Sequence, residues 1–448
     1  MILYHEGKIY MSNNKKNDIE ILEAPYKLPE GWKWARLGDF IDIYRGVSYK
    51  KTDAHSEKQQ NDCLIMRGGN IEEGKINIDA DNVYVDKSIV AESQFIKKND
   101  VIIVTSTGST KVIGRAGISN NNYSDVAFGA FLTLARPNRK ADKSFVNHYF
   151  QSPLYRERIR QLASGVNINN IRTDYITESP FPIPPTLAEQ QRIVNRIESM
   201  FAKLDEAKEK AQNVVDSFET RKAAILHQAF TGTFTAKWRK ENGVSDDSWV
   251  EKSIEDLSEL ITKGASPKWQ GVQYVEDSSQ TLFVTSENVR NGYLDFEKEK
   301  YLDNKINEIQ KRSVLKKGDV LVNIVGASIG RAAIFNIDKL ANTNQAVCIV
   351  RLKSDTDNEF LCYYLNSNFA KLYYDANKVE TARANISLKD ISEMPMKICT
   401  LDEQQEIVHI LDNVLEKERT AKSAAEQVLE QIDLLKKSIL ARAFRGEL

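Results

Sequence analysis

The feature that most constrains this chain is a segment that occurs twice. The sequence "TLAEQQRIVNRI" at 186–197 returns as "TLDEQQEIVHIL" at 400–411. With an offset of 214 positions, residues 187–232 match 401–446 at 17 of 46 positions. So many identities indicate an internal duplication. A chain of 448 residues is long enough for two hydrophobic cores, so each copy can belong to its own domain.

Each copy begins as a helix. The pattern Thr-x-x-Glu is a capping box, in which the hydroxyl and the carboxylate satisfy backbone N–H groups of the first turn. Behind it, apolar or small residues recur at alternating spacings of four and three, the heptad pattern of paired helices. The predicted seam of the first copy is Ile193, Ile197, Met200, Leu204, Ala207, Ala211, Val214, Phe218, Arg221 and Ile225. The predicted seam of the second is Ile407, Leu411, Val414, Glu418, Ala421, Ala425, Val428, Ile432, Leu435 and Ile439.

These seams predict two helices of about 40 residues, each roughly 60 Å long. A seam of that length needs a partner, and the simplest partner is the other copy. The alternative is that each helix packs only on its own domain.

The segments before each helix also repeat, more weakly. The stretch "KKNDVIIVTSTGSTKVIGRAGI" (97–118) is similar to "KKGDVLVNIVGASIGRAAIF" (316–335), and "NIRTDYITESPFPIP" (170–184) is similar to "NISLKDISEMPMKIC" (385–399). Short apolar runs between Gly, Asn and Ser turns predict mainly strands, with helices at 145–163 and 359–375. We therefore predict an α+β fold with two repeated globular domains. The predicted bounds are a tail at 1–27, a first domain at 28–185, a long helix at 186–235, a second domain at 236–400 and a second long helix at 401–448.

Composition excludes several classes of protein. Hydrophobic residues make up 41% and charged residues 28%, as in globular proteins. No window reaches eighteen apolar residues, and the first residues lack the apolar core of a signal peptide, so we expect a cytoplasmic protein. The four cysteines share no CxxC spacing, which predicts buried free thiols rather than a metal site or a disulfide framework.

Catalytic motifs are not found in the sequence. An adenine methyltransferase needs a glycine-rich cofactor loop and an Asn/Asp-Pro-Pro-aromatic turn, and the nearest string, "IPPT" at 183–186, lacks both the amide or acid and the aromatic residue. The strings "GASIG" (326–330) and "GSTKVIGR" (108–115) do not fit a dinucleotide-binding or P-loop motif. No acid, base or nucleophile set repeats between the halves, so we do not predict an active site.

Two loops rich in glycine, hydroxyls, amides and a positive charge do repeat: "TSTGSTKVIGR" (105–115) and "NIVGASIGR" (323–331). Backbone N–H and hydroxyl groups bind phosphate oxygens, and Arg and Asn side chains recognise base edges. Ordinary turns between strands are the alternative. Because the net charge is only −1, any grip on DNA must be local.

The layout resembles the DNA-specificity subunit of type I restriction-modification systems. The resemblance rests on two diverged domains, each leading into "L-x-E-Q-Q-x-I-V" and a long helix that closes on "IL-x-x-AF-x-G". It implies two target recognition domains that each read one half of a bipartite, asymmetric double-stranded DNA sequence. It also implies that the helices form an antiparallel coiled coil with pseudo-twofold symmetry, which separates the domains and sets the spacing of the target.

The resemblance further implies that the subunit has no catalysis of its own and no membrane partner. Two methyltransferase subunits, which use S-adenosylmethionine to methylate adenine, and two restriction subunits, which use ATP and Mg²⁺ to translocate and cleave DNA, would join it. Two other functions stay open from sequence: a coiled-coil scaffold without DNA specificity, and a methyltransferase with its own recognition domains.

Polar and basic residues in the repeated loops are the candidates for DNA contact. In the first domain they are Arg67, Asn70, Ser106, Thr107, Ser109, Lys111, Arg115, Asn167, Asn169 and Arg172. In the second they are Ser286, Asn288, Arg290, Asn323, Ser328, Arg331, Arg383 and Asn385. The neighbouring glycines, among them Gly114 and Gly330, are expected to shape the loops. The second domain also has Asn344-Gln345, a feature of the family, and we expect Phe128-Gly129 at the equivalent place in the first.

Overall fold

The computed structural model describes residues 2–5, 8–12, 19–164, 170–379 and 384–448. These residues form two compact units. Unit 1 extends to Ala211 and includes Gln427–Leu448, and unit 2 is Gln212–Glu426. The two long helices each contribute to both units. Within the described residues, no helix is long and apolar enough to cross a membrane.

Unit 1 begins with eleven strands, as far as the described residues go, and continues with helices. Its strands are β1 Ile2–His5, β2 Lys8–Ser12, β3 Ile19–Glu23, β4 Lys33–Arg36, β5 Ile41–Arg45, β6 Asp62–Met66, β7 Tyr84–Asp86, β8 Val101–Val104, β9 Ala116–Ile118, β10 Val126–Phe128, β11 Leu132–Pro137 and, after the first helices, β12 Pro180–Ile183. Its helices are α1 Lys143–Gln151, α2 Pro153–Ser164, α3 Thr173–Thr177 and α4 Leu187–Asp216.

Unit 2 repeats most of this order of elements from β4 onward. Its strands are β13 Val250–Ser253, β14 Ser258–Lys263, β15 Tyr274–Val275, β16 Thr281–Val284, β17 Tyr301–Leu302, β18 Val320–Asn323, β19 Ala332–Ile334, β20 Ala341–Thr343, β21 Val347–Leu352 and β22 Pro395–Ile398. Its helices are α5 Phe218–Phe230, α6 Ala236–Asn242, α7 Ile254–Leu257, α8 Lys305–Ile309, α9 Asn358–Leu365, α10 Asn368–Asn377, α11 Leu388–Glu393 and α12 Leu401–Arg445, whose second half belongs to unit 1.

The sheets show that the duplication extends to the whole domain. The four-stranded sheet β5-β11-β8-β9 of unit 1 corresponds to β14-β21-β18-β19 of unit 2, and both are antiparallel. The sheet β10-β6-β7 corresponds to β20-β16-β17-β15, which has one additional strand, and the first pair is parallel in each. The pair β12-β4 corresponds to β22-β13, while β1-β2-β3 forms a separate sheet. The predicted α+β repeat is thus confirmed.

Apolar strands such as "VIIV" are buried on both faces. Val101 and Ile103 point to one core, with α1, α2 and the start of α4, whereas Ile102 and Val104 point to a second core between the two sheets. This alternation follows from the two-residue period of a strand. The sheet therefore lies between two packed layers.

The long helices pair antiparallel within each unit. In unit 1, Arg192 Nη2 donates to the carbonyl of Leu448 at 2.8 Å, and further along α4 Lys208 lies 3.6 Å from Asp433. In unit 2, Arg221 Nε lies 2.8 Å from Glu418 Oε2. The two charged residues that interrupt the predicted seams are therefore partners of each other.

The seam prediction is confirmed for the first helix and partly wrong for the second. Every predicted position from Ile193 to Ile225 is buried or half-buried. In α12, however, Ala421, Val428 and Leu435 are exposed, and Leu440 is buried instead. A straight helix drifts about 20° per heptad relative to a strict seven-residue repeat, so the contacting face moves away from the heptad positions.

Predicted helices are interrupted at three places. The first long helix breaks at Ser217, between α4 and α5. The predicted helix at 145–163 is divided at Ser152, because Pro153 has no N–H to continue the ladder. The predicted helix at 359–375 is divided before Ser367, whose extended backbone begins α10. The four cysteines are buried free thiols, as predicted.

The capping-box prediction holds only for the hydroxyl of the first copy. The N–H of Glu189 donates to Thr186 Oγ1 at 3.2 Å, but the Glu189 carboxylate accepts from Arg192 on the surface, at 2.8 Å to each oxygen. The equivalent carboxylate in the second copy, Glu403, turns inward instead. Because each carboxylate has a cationic partner elsewhere, neither returns to the backbone of the cap.

Candidate DNA interface

The first glutamine of each "EQQ" motif attaches its domain to the long helix by a hydrogen bond. Gln190 Oε1 accepts the N–H of Asp142 at 2.8 Å, and Gln404 Oε1 accepts the N–H of Asp357 at the same distance. Both aspartates are the N-caps of the helices that follow, α1 and α9. The repeated motif therefore has a structural role, because it holds the sheet and its loops at a fixed place on the helix.

Two predicted contact residues, Asn70 and Asn288, hold equivalent loops together. Asn70 Nδ2 donates to the carbonyl of Asn77 at 2.9 Å, and Asn288 Nδ2 donates to the carbonyl of Asp295 at 2.9 Å. Their amide oxygens accept the N–H of Arg67 and of Thr285. Because both amides are buried and occupied inside the domain, these bonds disfavour direct contact with a base.

Asn323 has a similar internal role. It is fully buried, and its Nδ2 donates to the carbonyl of Ser286 at 2.9 Å and to Ser328 Oγ at 3.2 Å. It therefore joins the loop after β16 to the loop after β18. This arrangement brings three of the predicted residues of the second domain together.

Three of the predicted arginines already have carboxylate partners. Arg67 pairs with Asp81, and Arg172 pairs with the nearby Asp174. Arg290 lies 3.1 Å from Asp295. These exposed pairs are weak, so DNA phosphates can displace the carboxylates, but the arginines do not begin as free cations.

The glycine loops pack on equivalent helices. Gly114 and Gly330 both have positive φ, 72° and 87°. A Cβ at Gly114 would lie 2.4 Å from Ile159, and one at Gly330 would lie 2.6 Å from Tyr374. The prediction that these glycines shape the loops is confirmed, because a side chain at either position would clash.

The remaining predicted residues are dispersed over the loops. Ser106 and Thr107 are half-buried, Ser109 and Lys111 are exposed, and Asn385 is half-buried beside the loop after β18. Asn167, Asn169 and Arg383 lie outside the described residues. Which of these side chains contact DNA stays a prediction.

The second domain contains a cavity of about 1080 Å³ between its loops and α10. The predicted residues Ser286 and Arg331 line it. Asn344 and Gln345, the family feature noted in the sequence, also line it. Residues that the sequence did not bring forward line it as well, namely Asn291, Ser367, Asn368, Lys371 and Tyr374. The polar run "NSN" (366–368) between two helices is the signal that could have identified part of this group.

At the equivalent position of the first domain, the side chain of Arg156 turns inward. This buried guanidinium donates to the carbonyls of Ile113, at 2.9 Å, and of Lys111, at 3.4 Å. Burial lowers the pKa of Arg156, and Glu73 opposes that shift. Its counterpart in the second domain is Lys371, which is exposed. The two domains thus present different surfaces on one scaffold.

The register also corrects one sequence comparison. Phe128 pairs with Met66, and Thr343 pairs with Val284 in the equivalent parallel ladder. Gly129-Ala130, rather than Phe128-Gly129, is therefore the counterpart of Asn344-Gln345. The expected alignment was wrong by one residue, because without the strand pairing nothing fixes the register of a short loop.

The described residues contain no cluster of three or more His, Cys, Asp or Glu side chains that could hold a metal ion. Apart from the carboxylate of Asp375, which pairs with Lys378, the polar groups that line the cavity are amides, hydroxyls and cations. Such groups bind phosphates and base edges.

Comparison with known proteins gives a consistent result. The model of the family described as "Type I restriction modification DNA specificity domain" matches residues 29–216 and again 246–431. The chain is 30% identical over 431 residues to the type I restriction enzyme EcoKI specificity subunit of Escherichia coli K12, covering 94% of this chain and 90% of that protein. It is also 30% identical over 428 residues to the StySPI specificity subunit of Salmonella potsdam, with the same coverage of both chains.

Two solved structures share the fold. The HsdS subunit of Thermoanaerobacter tengcongensis has a TM-score of 0.63 at 20% identity, covering 95% of this chain and all of that one. A chain from a study of complex assembly and conformational transition of the type I R-M system has a TM-score of 0.69 at 20% identity, with the same coverage. Two family matches, one on each repeat, and relatives matched over nearly their whole length show that this chain belongs to the family of type I restriction-modification DNA-specificity subunits.

Proposed function

We propose that the two domains, residues 28–185 and 236–400, read different halves of one bipartite, asymmetric DNA target. Specificity subunits are the non-catalytic DNA-recognition components of type I systems. The observation that carries the proposal is the contrast between a shared scaffold and unshared loop surfaces. The sheets and the glutamine contacts are equivalent, whereas the buried Arg156 of one domain corresponds to the exposed Lys371 of the other, which lines a cavity.

The long helices set the distance between the two half-sites in this proposal. At 1.5 Å per residue, the 45-residue helix α12 is about 68 Å long. One turn of DNA is roughly 34–36 Å, so a helix of this size can separate two readers by about a turn or more. The antiparallel contacts within each unit and the fixed attachment at Gln190 and Gln404 support a stiff connection.

As a member of this family, the chain binds DNA and assembles with other subunits of the system. For the full complex we propose two methyltransferase subunits and two restriction subunits. The methyltransferase subunits would bind S-adenosylmethionine and methylate adenine, and the restriction subunits would bind ATP and Mg²⁺. We place this complex in the cytoplasm, where it meets DNA.

A map of methylated adenines in the host genome, with and without this gene, tests the proposal. The expected result is that one split, asymmetric motif loses methylation when the gene is deleted and regains it when the gene is restored. An unchanged map in a host that expresses active methyltransferase subunits would contradict the proposal. Loss of a continuous motif would contradict the bipartite reading alone.

A further inference from the structure

The start of helix α10 is built differently from its counterpart in the first domain. Ser367 is the N-cap, with φ −88° and ψ 167°, but its side chain caps no backbone N–H. Ser367 is 3% exposed, and its Oγ has no hydrogen-bond partner among the described residues. The first N–H groups of a helix lack intrahelical partners and carry the positive end of the helix dipole. Because the buried Ser367 hydroxyl has no partner here, we expect its hydrogen-bond acceptor to come from outside the chain.

The surroundings of this helix start are cationic. Arg331 and Lys371 line the same cavity, and neither forms an ion pair within the described residues. Asp375 also lines the cavity, but Lys378 lies 3.0 Å from it, so these two charges offset each other. Two uncompensated positive charges therefore face the cavity.

A second buried hydroxyl lies at the wall of the cavity. Tyr374 is 4% exposed, and its Oη also lacks a hydrogen-bond partner among the described residues. Burial raises the pKa of Tyr374, so its hydroxyl stays protonated and can only be satisfied as a neutral group. A buried polar group without a hydrogen bond costs free energy of folding. Two such hydroxyls beside one helix start therefore favour a ligand at this position.

In the first domain the equivalent groups are occupied. Ser152 Oγ accepts the N–H of Tyr155 at 3.4 Å and donates to the carbonyl of Tyr149 at 2.6 Å. Pro153 takes the place of Asn368 and offers no N–H. Arg156 and Arg115 both donate to backbone carbonyls. No equivalent anion site is therefore formed by these groups of the first domain.

We propose that the start of α10 binds one backbone phosphate of the DNA in the second half-site. The backbone N–H groups of the first turn and Ser367 Oγ donate to the phosphate oxygens, and Arg331 and Lys371 neutralise its charge. This site rests on the proposed function and names the group that the second domain grips. It fixes the position of the DNA beside the cavity without reading a base.

Single methylphosphonate substitutions in the DNA test the site, because each removes the charge of one phosphate. The full chain, assembled with its methyltransferase subunits, is titrated with duplexes of the mapped target that carry one neutral linkage at successive positions. We expect one position in the second half-site to weaken binding about tenfold or more in the wild type. The same substitution should have little effect on the Lys371→Gln or the Asn368→Pro variant, because these have already lost part of the site.

Salt dependence supplies a second measurement. The Lys371→Gln variant loses one phosphate contact. The slope of log K against log salt concentration should therefore fall in magnitude by about 0.9, and the preferred base sequence should stay the same. Lys389→Gln is the matched control, since Lys389 is 77% exposed on α11 and pairs with Glu393 outside the cavity. It should change neither the slope nor the methylphosphonate profile.

Three outcomes would overturn the site. The first is equal sensitivity of wild type and both variants to every neutral linkage. The second is Lys371-dependent binding of inorganic phosphate, followed by ³¹P NMR, with no effect of any neutral linkage, which would assign the site to free phosphate. The third is a wild-type complex that does not prefer the mapped target over a scrambled duplex, which would refute the proposed function together with the site.

Discussion

The helix starts at Glu189 and Glu403 place the same residue in two different environments. Glu189 lies on the surface and pairs with Arg192. Glu403 is fully buried, and its Oε1 accepts from Thr235 at 2.6 Å, from Arg239 at 2.6 Å and from Trp249 at 3.0 Å. The neighbouring glutamines, in contrast, make the same contact in both copies. The duplication has thus kept the attachment of each domain and changed what surrounds it.

Removal of these two carboxylates should give the largest difference in stability between the two copies. Glu403→Ala leaves the guanidinium of Arg239 buried without its main partner, which costs about 3–5 kcal/mol in the free energy of unfolding. Glu189→Ala removes a surface pair and should cost less than about 1 kcal/mol. Thermal unfolding of both variants measures the contrast. Similar losses of stability in both variants would show that the buried network of the second copy stabilises the fold no more than the surface pair does.

His148 and Tyr363 occupy equivalent places and should differ in their response to pH. Burial lowers the pKa of His148 to about 4, against an opposing effect of Asp142, and its Nε2 lies 3.9 Å from Glu198. As the pH falls from about 6.5 to 4, the unfolded chain binds a proton that the folded chain refuses, so stability is lost, by up to about 3 kcal/mol at pH 4. Urea unfolding as a function of pH checks this loss.

The matched variant for that experiment is His148→Tyr, which introduces the residue of the second copy. The hydroxyl of Tyr363 donates to Asp412, and Glu198 offers a carboxylate at the corresponding place. The variant should lose the part of the acid sensitivity that His148 causes. If its stability falls with pH as steeply as that of the wild type, His148 is not the group responsible.

Gln190→Ala and Gln404→Ala should have equal effects, because the two contacts are equivalent. Each variant leaves the N–H of an N-cap aspartate without its acceptor, Asp142 in one copy and Asp357 in the other, which costs about 1–3 kcal/mol. Denaturant unfolding measures both variants under the same conditions. A clear inequality would contradict the claim that the two domains are attached in the same way.

The smallest expected effect is on DNA discrimination by the first domain. Arg156→Met keeps most of the volume but removes the donors to Ile113 and Lys111, so the loop they belong to becomes less fixed. We expect discrimination at the first half-site to fall by about 1 kcal/mol, with no change at the second. Binding to duplexes mutated in one half at a time measures this. Loss at both halves would indicate a general defect instead of a local one.

The sequence was sufficient for those parts of the fold that depend on local patterns. Capping residues, heptad spacing and the "EQQ" repeat predicted the duplication and the two long helices, but not that Arg221 and Glu418, which interrupt the seams, pair with each other. The sequence did not predict the drift of the seam near Leu435, because the local pattern does not specify how strongly two helices supercoil.

The site was less predictable for a physical reason. Asn70 and Asn288 have the chemistry of base readers, yet their amides close loops, and only strand pairing decides which way such a side chain points. The groups at the start of α10, such as Ser367, lie between two helices, where no motif distinguishes an unsatisfied hydroxyl from an ordinary cap. Tertiary packing supplies that distinction.

The most direct test of the central claim, that one scaffold carries two independent readers, is a methylome of a chimaera. Residues 28–185 would be replaced by the corresponding domain of a relative with a different target, while both long helices and the second domain stay unchanged. We predict that the first half of the methylated motif changes and that the second half and the spacer length remain. A motif that changes in both halves, or in neither, would contradict the account.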